Sequence, residues 1–112
     1  MRPSYTAAPL YVDACALCEW LLARFGDDSR FLPQALCTCA LSVFEAITLA
    51  LKGRRREEQV EIADEQLIRL RAQLRLACTL GHLSEAQMLY ALERADVIGR
   101  QLGGWLRSFE AL

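Results

Sequence analysis

The five cysteines are the residues of this chain with the widest chemical repertoire, because a thiolate can bind a metal, act as a nucleophile or form a disulfide. They occur as Cys15-x-x-Cys18, Cys37-x-Cys39 and a single Cys78. On a helix, residues two positions apart point about 200° away from each other, so Cys37 and Cys39 cannot reach the same ion. A lone CxxC pair on an apolar helix is more typical of packing, since free cysteine behaves as a small hydrophobe. We therefore expect no metal and no cofactor, and a redox or metal role is the least favoured interpretation.

Other groups that could take part in catalysis are few. His82 is the only histidine, and it falls in a predicted turn, where a solvated loop residue is the ordinary interpretation. The sequence shows no pairing of a nucleophile with a base and no glycine-rich phosphate loop. We predict that the chain is not an enzyme.

The basic residues carry a stronger functional signal. The segment 52–56, KGRRR, places four cations at a predicted junction between two helices. Three arginines at the start of a helix oppose its macrodipole, which indicates contact with an external partner such as phosphate groups. The alternative is a solvated loop that Glu57 and Glu58 partly neutralise.

Further arginines share a helix flank with Asp64. Arg71 and Arg75 are like charges four residues apart, which repel each other unless they meet carboxylates or phosphates. The residues predicted to contact nucleic acid or a partner are Arg54, Arg55 and Arg56, then Arg71 and Arg75, and finally Arg30.

Four apolar-periodic segments must position these side chains. Helices are predicted near residues 10–25, 30–52, 55–80 and 85–109, and Gly26, Gly53 and Gly81 follow the first three, where a left-handed residue often ends a helix. Ser84 and Gln87 form a capping-box pattern before the last helix. Because short connections make successive helices antiparallel, we predict one all-α domain over residues 1–112, an up-down-up-down four-helix bundle.

The composition leaves more apolar material than one small core needs. The chain has 112 residues, of which 54% are hydrophobic, and a formal net charge of −1. Apolar or neutral residues on predicted outward faces indicate a homo-oligomer interface, although scattered exposed hydrophobes are the ordinary alternative. The predicted interface residues are Trp20, Leu22, Ser42, Ala46, Leu49, Ile62, Leu76, Leu80, Tyr90 and Val97.

The cellular compartment is inferred from the thiols and from the N-terminus. An odd number of cysteines and the absence of an apolar leader in MRPSYTAAPL favour the reducing cytoplasm. The apolar stretch 10–25 carries charges and is shorter than the roughly 20 residues that a membrane span needs. We therefore expect a cytoplasmic chain with no membrane segment.

A resemblance to a known family rests on residues of the second half of the chain. The matching pattern is Ala63-Asp64, Leu67, Leu70-Arg71, Leu74-Arg75-Leu76-Ala77, Leu80, Leu83-Ser84, Gln87 and Ile98-Gly99-Arg100-Gln101-Leu102-Gly103-Gly104-Trp105. Ser29-Arg30-Phe31 and the alanine-rich second helix also fit. The sequence resembles the bacterial four-helix-bundle proteins encoded in ribosomal RNA intervening sequences. Within that family it is most similar to the accessory variability determinant of diversity-generating retroelements.

This resemblance implies a ring-like homopentamer without catalytic activity, whose basic surface binds RNA and a partner reverse transcriptase. The alternative is a structural or protein-protein interaction bundle of the intervening-sequence type with no nucleic-acid role. Two features favour the alternative: the segment 25–28, FGDD, is acidic where relatives are basic, and the net charge is −1.

Overall fold

The computed structural model describes residues 4–111 and is all-helical over that range, with no strand. A 3₁₀ turn at Tyr5–Ala7 precedes four α-helices. These are α1 (Pro9–Phe25), α2 (Phe31–Leu51), α3 (Arg56–Thr79) and α4 (Glu85–Glu110). Each predicted helix boundary lies within one residue of the observed one, so the all-α, four-helix prediction is confirmed.

The helices pack in chain order around one core, and α4 returns to pack against α1. Asp13 of α1 accepts a hydrogen bond from Gln101 of α4 at 2.8 Å, and Trp20 of α1 contacts Tyr90 of α4 with 5.4 Å between ring centroids. The residue number rises along α1 while that of its partner falls along α4, so the two helices are antiparallel. The consecutive helix pairs α1–α2, α2–α3 and α3–α4 are joined by loops of only four or five residues. Loops this short make each pair antiparallel as well.

The core is built from one buried stripe on each helix. The helical spacing of apolar residues in the sequence predicts a core stripe on α3, and all of its members are buried: Val60, Ala63, Leu67, Leu70, Leu74 and Ala77. The same spacing predicts a stripe on α4, of which Ala91, Leu92, Ala95 and Leu102 are buried, while its other members are only half-buried: Met88, Gly99, Leu106 and Phe109. Ile98, which the pattern did not single out, is fully buried.

The helix ends follow the predicted capping signals, with one exception. Gly53 and Gly81 have φ of 77° and 83°, and the N–H groups that follow α2 and α3 return to the last carbonyls in the Schellman pattern. Ser84 and Gln87 form both bonds of a capping box. The prediction for Gly26 is wrong, because its φ is −58° and α1 ends with a right-handed residue.

Helix α2 is the most apolar element. Over residues 4–111 it is the one helix long and apolar enough to cross a membrane by length and composition, with a mean hydropathy of 1.6 over its best window. Nearly half of that window, 44%, is buried inside the bundle. A helix that packs between two neighbouring helices inside a bundle can be as apolar as a membrane span, because it buries two flanks rather than one.

Candidate nucleic-acid interface

The antiparallel topology brings four chain segments to one end of the molecule: the start of α1, the end of α2, the start of α3 and the end of α4. Cations from three of these segments lie there, namely Lys52, Arg54, Arg55, Arg56 and Arg107. We call this surface the basic end. Residues Lys52–Arg56 are exposed, and Glu57 and Glu58 lie beside them at the start of α3. The sequence predicted the arginine run but missed Arg107, which joins it through the course of α4.

The loop of the basic end holds an unusual backbone conformation. Arg55 has φ 46° and ψ 53°, and it is the one non-glycine residue between 4 and 111 with a positive φ. A left-handed conformation costs a residue with a Cβ about 1–2 kcal/mol, so glycine is the residue expected at this position. Strain of this kind clusters at functional sites, where the side chain is required.

Arg55 and its neighbours are only weakly neutralised by the protein. Arg55 Nε lies 3.6 Å from Glu58 Oε2, and both side chains are more than 60% exposed. Exposed pairs of this geometry contribute little, so the guanidinium remains free to meet another anion. Arg54 forms no ion pair with any residue of the described range.

Two aromatic rings complete the basic end. The ammonium group of Lys52 lies 5.2 Å from the centroid of Tyr5, and the guanidinium of Arg56 lies 5.1 Å from the indole centroid of Trp105. Arg56 Nε also donates a hydrogen bond to the carbonyl of Ala50 at 3.1 Å. No local sequence pattern predicts these pairs, because the two aromatic rings come from opposite ends of the chain.

A groove between α3 and α4 begins near the basic end. It has a volume of about 440 Å³ and is lined by Asp64, Arg71, Asp96, Gly99, Arg100, Gly103 and Arg107. Arg71 Nη2 lies 3.2 Å from Asp96 Oδ1 and donates to the carbonyl of Ala95 at 3.4 Å. Three arginines face two carboxylates, so the groove has a cationic excess. The groove also connects the predicted Arg71 to the basic end.

The floor of this groove explains the glycines of α4. A Cβ added at Gly99 would come within 2.5 Å of Arg71 Nη2, so only glycine leaves room for the observed position of that guanidinium. At Gly103 an added Cβ would come within 3.3 Å of Arg107 Nη1. The recurrence of small residues on α4 therefore accommodates arginine side chains.

The other two predicted arginines lie elsewhere. Arg75 is exposed one turn beyond Arg71 on α3 and does not line the groove. Arg30 lies at the opposite end of the bundle, where Nη2 is 2.6 Å from Asp28 Oδ2. Hydrogen bonds from the Arg30 side chain and backbone N–H lower the pKa of Asp28 to about 2. The structure thus joins Arg54, Arg55, Arg56 and Arg71 through one surface and separates Arg30 from it.

The predicted interface residues divide between two sides of the bundle. On the α2–α3 side, Ser42 lines a shallow groove of about 470 Å³, and the exposed Leu49, Ile62, Leu76 and Leu80 follow the same flanks. Trp20, Tyr90 and Val97 lie on the α1–α4 side, and Leu22 is half-buried against the core. The expectation that Ala46 lies on an outer face is wrong. It is 3% exposed, because α2 turns that position towards the core.

The cysteines have the environments of packing residues. Cys37 Sγ lies 3.8 Å from the carbonyl of Leu21 in α1, whereas Cys39 Sγ lies 3.1 Å from the carbonyl of Gln66 in α3. The two thiols face different helices, as their spacing predicted. Burial raises the pKa of Cys18 to about 11. This thiol therefore stays protonated near neutral pH, where a metal ligand or a nucleophile would have to be a thiolate.

Comparisons with protein-family models, with curated proteins and with solved structures found no match to this chain. The candidate interface is therefore defined by its geometry.

Proposed function

We propose that this chain is a non-enzymatic four-helix-bundle scaffold that binds RNA through the basic end and the adjoining α3–α4 groove. The observation that carries the proposal is the convergence of Lys52, the run Arg54–Arg56 and Arg107 at one end of the molecule. Arg55 supports it further, because this position keeps a long cationic side chain where the backbone favours glycine.

A local cationic surface is sufficient for RNA binding on a chain whose net charge is −1. The basic end has five cations beside Glu57 and Glu58, whereas the opposite end carries Asp27, Asp28 and Glu85 beside Arg30, so the cationic excess lies at one end of a bundle that extends 44 Å. The potential near the basic end is set by the nearby cations, because charges more than about 10 Å away are screened at 0.1 M salt. RNA affinity should therefore depend strongly on salt.

The scaffold is proposed to act as a ring-like homopentamer. A ring needs a head-to-tail contact, in which one surface of a subunit meets a different surface of its neighbour. The α2–α3 side offers exposed Leu76 and Leu80, at 50% and 60%, and the α1–α4 side offers Tyr90 at 47%. Two separate apolar surfaces on one bundle are consistent with such a contact.

The partner protein is proposed to be a reverse transcriptase, with this chain as an accessory protein of a diversity-generating retroelement in the cytoplasm. The support is the resemblance over Gly99–Trp105 and the preceding helix described above. In this structure the same segment forms the floor of the groove and one aromatic ring of the basic end. The five free thiols agree with a reducing compartment.

Two measurements test the scaffold proposal. Fluorescence anisotropy with a labelled RNA at low and at moderate salt should show binding that weakens as salt rises, and absence of binding at low salt would contradict the RNA role. Light scattering at micromolar concentration should give a mass several times 12.6 kDa. A monomer would contradict the oligomer.

A second candidate function is a structural or protein-protein interaction bundle with no nucleic-acid role. It is favoured by the ion pairs of Arg30 with Asp28 and of Arg71 with Asp96, because both arginines already have an anionic partner. An oligomer that does not bind RNA at low salt would support this second function.

A further inference from the structure

Each aromatic ring at the basic end lies beside a cation, and the two pairs flank the exposed tip of the loop. Tyr5 with Lys52 lies on one side of the tip, and Trp105 with Arg56 lies on the other. Tyr5 and Trp105 are half-buried: Trp105 packs partly against the core and meets Phe109 at 6.3 Å between ring centroids, and part of each ring remains at the surface. Arg54 and Arg55 lie between Lys52 and Arg56 in the loop that joins α2 to α3, and both are exposed.

We propose that the basic end binds a single-stranded segment of RNA, with a base stacked on Trp105 and the neighbouring phosphates on Arg54 and Arg56. This inference rests on the proposed RNA-binding function and adds the class of RNA. Aromatic side chains that carry stacked bases, beside cations that follow the backbone, are the recurring arrangement of single-strand binding surfaces.

The rings distinguish a single strand from a duplex. In an A-form helix the base faces are stacked inside, and proteins meet phosphates and 2′-hydroxyls at the surface. An exposed run of arginines would serve a duplex as well as a single strand, whereas Trp105 gains a partner only when a base is unstacked. A surface that combines exposed arginines with an aromatic ring therefore favours the single strand.

The position of Arg56 supports a role for Trp105 as a stacking platform. Its hydrogen bond to the carbonyl of Ala50 and its place over the indole hold the guanidinium beside the ring. Because the guanidinium of Arg56 covers one face of the indole, a base reaches that face by displacing this exposed guanidinium, which then lies within reach of the phosphate of the base. The groove continues the path from Arg107 towards Arg71, about 22 Å from Arg56 along α3 at 1.5 Å per residue.

The chain contains a matched control for Trp105. Trp20 is also half-buried, and its ring also carries a guanidinium, that of Arg24 at 4.9 Å from the centroid. It packs against Tyr90 of α4, far along that helix from Trp105, and no run of adjacent arginines lies beside it. Trp20→Phe therefore makes the same exchange of rings as Trp105→Phe, but away from the proposed site.

The test compares a labelled 12-nucleotide single-stranded RNA with the 12-base-pair duplex of the same sequence, by fluorescence anisotropy at low salt. We expect the single strand to bind at least 10-fold more tightly. Trp105→Ala should weaken single-strand binding about 10-fold, in line with the effect of removing one stacked base, and leave duplex binding unchanged. Trp105→Phe should restore most of the affinity. Trp20→Phe keeps an aromatic ring at a predicted interface position, so it should leave the mass measured by light scattering and the affinity for both RNAs unchanged.

A second readout does not depend on the folding of the alanine variant. In Trp20→Phe protein, Trp105 is the only tryptophan, so its fluorescence should be quenched by the single strand and not by the duplex. Equal affinity for both RNAs without quenching, or equal weakening of both by Trp105→Ala, would overturn this inference while leaving the RNA-binding function. Failure of both RNAs to bind at low salt would overturn the proposed function and this inference with it.

Discussion

The guanidinium of Arg71 lies over the backbone of Gly99, so close that a Cβ at residue 99 would be 2.5 Å from its Nη2 atom. The same guanidinium binds Asp96 and the carbonyl of Ala95 on α4. One glycine on α4 thus allows an arginine of α3 to lie in the interhelical groove. For an alanine at residue 99, helix propensity should raise the free energy of unfolding, whereas displacement of Arg71 should lower it.

Gly99→Ala should stabilise the protein less than Gly104→Ala does. Both substitutions gain about 0.8–1 kcal/mol of helix propensity, but only alanine at 99 displaces Arg71, whereas a Cβ at 104 meets nothing closer than Arg107 at 4.0 Å. We expect a difference of about 0.5–1.5 kcal/mol in the free energy of unfolding, measured by urea denaturation. In an Arg71→Ala background the two gains should become equal, and a persistent difference would show that Arg71 is not its cause.

Stability should fall between pH 9 and pH 11. Burial raises the pKa of the Cys18 thiol from 9.0 to about 11, so the folded state holds this proton more tightly than the unfolded state does. The stabilisation linked to the protonated Cys18 thiol is therefore complete below pH 9 and is lost as the pH rises towards 11. Denaturation midpoints over this range should drop less steeply in Cys18→Ala than in the wild type, and equal slopes would contradict the assignment to Cys18.

Arg30→Ala should raise the pKa of Asp28 from about 2 towards its ordinary value of 3.8, because the largest cause of the depression is the Arg30 side chain. The backbone N–H of Arg30 remains, so the return should be partial. Carboxyl chemical shifts followed by NMR during acid titration measure this. The stabilisation linked to Asp28 is present above pH 3.8 and is lost as the pH falls through 2. Arg24→Ala, which removes a cation from Trp20 instead, should leave the pKa of Asp28 unchanged.

Leu80→Glu should dissociate the oligomer without unfolding the bundle. Leu80 is 60% exposed, so a charge there costs the subunit little but is poorly tolerated in a buried contact between subunits. Ile68→Glu is the control. Ile68 is 57% exposed on α3, which ends immediately before Leu80; by helical spacing it points about 120° away from Leu80, and it is not among the predicted interface residues. Light scattering should report a smaller species for Leu80→Glu alone, and an unchanged mass would exclude the α2–α3 side as the interface.

Much of the fold could be predicted from local signals. The apolar stripe of α3, the capping box at Ser84 and the left-handed Gly53 and Gly81 depend on residues close in sequence, and all are confirmed. Two errors have local causes as well. Gly26 adopts a right-handed conformation that any residue can take, and Ala46, which we expected on the outer face of α2, is buried one position before the core residue Ile47.

The candidate site could be predicted only in part, because its members come from distant parts of the chain. The run Arg54–Arg56 is visible as a sequence motif, whereas its contacts with Trp105 and the approach of Arg107 depend on how α4 ends beside α3. Charge pairing is also a tertiary property. In the sequence, Arg30 and Arg54 are both arginines next to a predicted helix end. Only the structure shows that Arg30 forms an ion pair with Asp28.

The most direct test of the account is the RNA affinity of the double variant Arg54→Ala/Arg55→Gly, beside Arg30→Ala as the control that also removes an arginine. Glycine relieves the left-handed strain at residue 55, so the variant should be at least as stable as the wild type by urea denaturation. Its affinity for single-stranded RNA at low salt should nevertheless fall at least 10-fold. The slope of log affinity against log salt should shrink by about 1.4, as for two lost phosphate contacts. Arg30→Ala should bind as the wild type does. A double variant that binds RNA with unchanged affinity and salt dependence would contradict the assignment of the basic end as the RNA-binding surface.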